Sequence, residues 1–75
     1  MPKQPVLTFR ELVHILKAHG FLFRRQAKGS HEIWFCPQSQ RFVTIPHHSG
    51  KTIKKGTLHA IMKDSGLSKD VFRGR

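Results

Sequence analysis

The chain has 75 residues, enough for one domain with a small core, and its 14 Lys and Arg against four acids give a formal net charge of +10. No apolar run reaches the length of a membrane-spanning helix, and a single cysteine, Cys36, excludes an internal disulfide. The first residues lack the apolar stretch of a signal peptide, so a cytoplasmic location is expected. The charge is spread along the chain: six basic and two acidic groups fall in residues 1–37, eight and two in residues 38–75. The folded body itself is therefore basic, and nucleic acid is its expected partner, held through phosphates.

Residues 7–12 read as a helix start. Thr8 is a cap, Glu11 three residues on completes a capping box, and Leu7 and Leu12 form the matching hydrophobic staple. Phe9, Leu12, Val13 and Leu16 recur at helical spacing, and Gly20 supplies the stop, which predicts a helix over 9–19. Residues 21–26 read as a strand with Phe21 and Phe23 on one face and Arg24 on the other. Residues 27–30 are a turn, 31–36 a second strand, 37–40 a polar loop, and 41–45 a third strand ended by Pro46. Alternation puts Ile33 and Phe35 on the face shared by Val43 and Ile45. Pairing Ile33 with Ile45 then sets His31 opposite His47, and a one-residue slip would reverse the faces. A turn-rich loop over 47–52 leads to a second helix from about Thr57, with Leu58, Ile61 and Met62 as its apolar stripe and Gly66 as its end. Ser68 caps one further turn through Phe72. The expected fold is α+β in the order α-β-β-β-α, a three-stranded antiparallel sheet with two helices on one face, in one domain over 1–75 with its core at about 8–72.

The chemistry centres on Gly29-Ser30-His31, where a turn becomes a strand. Histidine as a residue type titrates near neutrality, so an imidazole beside bound RNA can move protons as a neighbouring 2′-hydroxyl attacks phosphorus. Nearby cations stabilise the charge that develops. Lys28 precedes the turn, and Lys51, Lys54 and Lys55 flank the second helix's N-terminus, itself partly positive. With Gly29, Ser30 and His47 they are the candidate RNA-binding residues. His14 and His19, on or near the first helix, read as packing or capping residues, and His59 faces away from the second helix's apolar stripe. His47 and His48, if extended, point apart. The histidines show no zinc-site spacing, so no metal is expected. Cys36, just before Pro37 and with no helix dipole beside it, reads as a partly buried structural thiol. Trp34 and Phe42 are of the type that stacks on bases but read as core or sheet-covering residues. Phe9, Phe21, Phe23 and Phe72 read as core.

In order and spacing these pieces resemble the HicA toxins, mRNA interferases of type II toxin–antitoxin systems. The matching residues are the helix from Glu11-Leu12 to Leu16, His19-Gly20-Phe21, Gly29-Ser30-His31-Glu32-Ile33-Trp34, Val43-Thr44-Ile45-Pro46-His47-His48-Ser49, Gly56-Thr57-Leu58, Ile61-Met62 and Gly66-Leu67-Ser68. The resemblance implies a fold like the double-stranded-RNA-binding domain. It implies cleavage of mRNA without ribosome, metal or other cofactor, using one essential histidine, which on the Gly-Ser-His motif is His31. It also implies a HicB-type antitoxin that covers the active site; the toxin alone is expected to be monomeric and away from membranes. Lys55 stands where the family often has proline, which adds charge. Two other readings remain: a non-catalytic RNA-binding module of the double-stranded-RNA-binding type, and a protein whose charge only grips an acidic partner. A pure binder has no need of a titratable group at His31.

Overall fold

Thr8 begins the first helix by the mechanism its spacing predicts. In the computed structural model, which describes residues 5–47 and 50–73, the Thr8 hydroxyl accepts from the Glu11 N–H at 3.2 Å. The Glu11 carboxylate accepts from the Thr8 N–H at 2.9 Å. These bonds complete the capping box and satisfy donors left orphaned at a helix start. Helix α1, Phe9–Ala18, buries Leu12 and Leu16 completely and packs Phe9 and Val13 half-buried beside them. His19 caps its C-terminal end and is exposed, as is His14. Gly20, at φ 93°, then turns the chain back. Its N–H donates to the Lys17 carbonyl and that of Phe21 donates to the Leu16 carbonyl, the two bonds of a Schellman motif. The apolar contact such a motif favours, Phe21 near Leu16, is made between two residues that are both buried. Phe21 is thus core, but it precedes strand β1, Leu22–Gln26, instead of opening it.

Strands β2, His31–Cys36, and β3, Arg41–Pro46, complete an antiparallel sheet in the order β1-β2-β3. Helix α2, Lys55–Ser65, starts two residues before the expected Thr57 and ends at Gly66. The one further turn is α3, Lys69–Arg73. The architecture is therefore the expected α+β one, with a three-stranded antiparallel sheet. Among the described residues no helix is long and apolar enough to cross a membrane.

The register differs from the expected one. Trp34 pairs with Val43, Ile33 with Thr44, and His31 with Pro46, not with His47. The slip of one residue turns Trp34 and Cys36, not Ile33 and Phe35, toward the core beside Val43 and Ile45. Two causes are visible. The run 33–36 is apolar on both faces, so alternation alone does not choose between them. Pro37 has no N–H to give to a ladder, so the hairpin closes at Cys36 and Arg41. There the Gln40 N–H donates to the Cys36 carbonyl at 2.8 Å.

One apolar cluster joins Leu12 and Leu16 of α1, Trp34, Val43 and Ile45 of the sheet, Leu58, Ile61 and Met62 of α2, and Phe72 of α3. Phe23, expected in the core, is half exposed. It shares Trp34's face but lies on edge strand β1, with its ring edge-on to the indole at 5.8 Å. Among the described residues the other sheet face carries no helix, and it exposes Leu22 and Phe42. The segment before α2 is tied to the start of the chain. Thr8 and Thr52 form an antiparallel bridge, and the Ile53 N–H donates to the Leu7 carbonyl at 2.8 Å. Leu7 and Ile53 are both buried. That tie matters for the site.

Candidate active site at the strand ends

His31 owes its position to the turn before it. Gly29 sits at φ 66° with open space where a Cβ would stand, so conformation, not crowding, calls for glycine there. The Ala27 N–H donates to the His31 carbonyl at 2.7 Å, and the His31 N–H reaches the Lys28 carbonyl at 3.4 Å. The imidazole therefore leaves the first residue of β2, on the face away from α1, and is exposed.

It opens onto a cavity of about 500 Å³. From β3 the cavity takes Thr44 and Pro46; from the segment before α2 it takes Lys51, Thr52, Ile53 and Lys54; from α2 itself it takes Thr57. Lys54 is the N-cap residue of α2. Among the described residues no side chain caps this helix and no acid stands in its first turn, so the positive end of its dipole is turned to the cavity without an acid beside it. An imidazole, two ammonium groups, threonine hydroxyls and a helix N-terminus thus converge on one concave surface. Such a surface has the charge to suit a phosphate group and an imidazole placed to exchange a proton beside it.

His47 goes elsewhere. It follows β3 on the face of Val43 and Ile45, and its ring stacks on Phe9 of α1 with centroids 4.0 Å apart and planes 8° apart. Its Nδ1 is 3.4 Å from Glu32, whose other carboxylate oxygen accepts from the Trp34 indole N–H at 3.1 Å. His47 lines a smaller recess of about 290 Å³ with Gln26, Gly29 and Ser30. The structure therefore brings His31, Lys51 and Lys54 together and separates them from the pocket of Gly29, Ser30 and His47. Lys28 and Lys55 are exposed and line neither. His48 lies outside the described residues, so the expectation that it points away from His47 does too.

Cys36 is buried, and its thiol reaches the His19 carbonyl at 3.9 Å. A hydrogen bond with the Ser39 hydroxyl, assisted by the Ser39 and Gln38 backbone, holds its pKa below the ordinary thiol value against the opposing effect of burial. The lowering influence that sequence alone did not supply is thus Ser39. Among the described residues no three His, Cys, Asp or Glu side chains gather to hold a metal ion.

Thr44, Thr57 and Glu32 were given no role from sequence. The signal for Thr44 was present in the sequence: once Val43 and Ile45 point inward, Thr44 must point outward, on the face of His31. Glu32 joins Trp34 to His47. Glu32→Ala leaves the nearly buried indole N–H without an acceptor. The substitution is expected to lower stability by about 1–3 kcal/mol in urea denaturation, and an unchanged midpoint would show that water replaces the carboxylate.

Comparison with known proteins agrees with this layout. No curated protein matches the chain, whereas a family model described as HicA toxin of bacterial toxin-antitoxin matches residues 9–67. That span runs from the first residue of α1 past the end of α2 and contains the turn, His31 and the cavity. The chain belongs to the HicA toxin family and is a toxin of a toxin–antitoxin system.

Proposed function

We propose that this toxin is an endoribonuclease that cleaves mRNA without metal or ribosome, with His31 as its proton-transfer residue. The carrying observation is the convergence of an exposed imidazole, Lys51, Lys54 and the uncapped start of α2 on one cavity. In the reaction the 2′-oxygen of one nucleotide attacks the adjacent phosphorus, and the bond to the 5′-oxygen breaks. The products are a 2′,3′-cyclic phosphate and a 5′-hydroxyl. His31 takes the 2′-hydroxyl proton and then gives it to the departing 5′-oxygen, or it protonates that oxygen while water accepts the 2′-hydroxyl proton, a contribution of about 10²–10⁴ in rate. Lys51, Lys54 and the positive end of the α2 dipole stabilise the charge on the phosphorane oxygens. Lys28, Gly29, Ser30, His47 and Lys55 extend the RNA-binding surface around the turn and helix start. A HicB-type antitoxin neutralises the toxin by covering the cavity.

The test is incubation of the purified protein with a long single-stranded RNA in EDTA, with the new ends analysed. Fragments with cyclic phosphate and 5′-hydroxyl ends are expected. Cleavage only with added Mg²⁺, or 5′-phosphate ends, would refute the mechanism. RNA bound but left intact would leave the non-catalytic binding module as the better reading.

A further inference from the structure

The sheet face that carries no helix is the face on which His31 stands, and it is lined with aromatic rings. Phe35 pairs across the ladder with Phe42, and their rings lie 4.6 Å apart at 38°. Phe42 is 52% exposed. Leu22, the partner of Phe35 on β1, extends the apolar surface. The chain bulges between Phe23 and Arg25, and the Arg24 guanidinium lies 5.5 Å from the Phe35 ring centroid. Along β2 the same face runs from Phe35 through Ile33 to His31, about 13 Å at the rise of an extended strand.

We propose that Phe42 and Phe35 are a base-stacking platform that grips single-stranded RNA and delivers it along the sheet to the His31 cavity. This rests on the reading of the cavity as a ribonuclease site and names the form of RNA it takes. Three observations select RNA as the occupant. The exposed surface is built on aromatic rings, which stack on any base. The charge beside it is a guanidinium on a chain with 14 basic and four acidic residues, which complements phosphate. The platform is also continuous with the cavity at His31. Stacking needs splayed bases, so paired RNA, whose bases are already stacked on one another, does not use it.

Binding to a fluorescent 2′-O-methyl oligouridylate tests this, because that probe lacks the attacking hydroxyl and reads binding alone. Phe42→Ala is expected to weaken binding by about 5- to 150-fold, the range for losing one base–aromatic stack. Phe42→Leu keeps the strand and its apolar area, and it should lose a comparable factor; Phe42→Trp should retain parental affinity. The slope of affinity against salt should be the same in all of them, because no phosphate contact is removed. Binding of an RNA duplex should not change. Parental affinity in Phe42→Leu would overturn the platform and assign the apolar face to a protein partner. So would a parent that fails to bind the probe at low salt. The nuclease reading is judged separately: cleavage with binding indifferent to Phe42 sinks only the platform, and aromatic-dependent binding without cleavage sinks only the nuclease.

Discussion

His31→Ala is expected to lose RNA cleavage by about 10²–10⁴-fold, the usual worth of a positioned proton-transfer group, while the fold and RNA binding stay as in the parent. The separation follows from the geometry. His31 is exposed at the first residue of β2, and among the described residues its ring makes no hydrogen bond or ion pair. Truncation there removes little packing, so the stability change should stay within about 0.5 kcal/mol. The cations of the cavity, Lys51 and Lys54, remain to hold phosphate. His31→Gln sharpens the comparison, since an amide keeps polarity and hydrogen bonding but cannot carry the proton. It should be as inactive as the alanine variant. Rates measured on a defined RNA, beside melting curves and binding isotherms, decide the matter. Parental cleavage by either variant would remove His31 from the chemistry.

Phe72→Ala is expected to have the largest effect on stability. Phe72 lies on the five-residue α3, beyond the span matched by the family model, yet it is 1% exposed and belongs to the central cluster. Truncating a buried phenylalanine costs about 3–5 kcal/mol. A domain of this length has only about 4–11 kcal/mol in total. The melting temperature should fall by about 12–40 °C. A fall of less than about 4 °C would mean that α3 is an appendage and that the core closes without it. The cause of the large effect is scale: few other side chains of that volume are fully buried here, and a small core has little redundancy.

Much of the fold could be read from short-range signals. Thr8 and Glu11 are three residues apart, Gly20 lies where the helix must reverse, and Pro46 lies where the last strand must stop. Each acts within a turn or two of itself. The same is true of the Gly29 turn that presents His31. The face of β2 was not legible in this way. Ile33 and Phe35 are as apolar as Trp34 and Cys36, so the pattern allowed two registers, and the core took the indole. Phe23 was misjudged for a related reason. An aromatic side chain on a strand signals a place in the sheet, but not that its strand is an edge where the core thins out.

The sequence by itself determined the order of elements, their caps and turns, the even positive charge and the histidine at the strand start, because these depend on neighbours along the chain and on composition. Only the tertiary structure decided which groups meet that histidine. Lys51 and Lys54 reach it because Leu7 and Ile53 are buried and Thr8 bridges Thr52, contacts between residues more than 40 positions apart. His47, one residue beyond the partner of His31, is turned to the opposite face by the strand's two-residue period. There it stacks on Phe9 and meets Glu32 instead of joining the cavity.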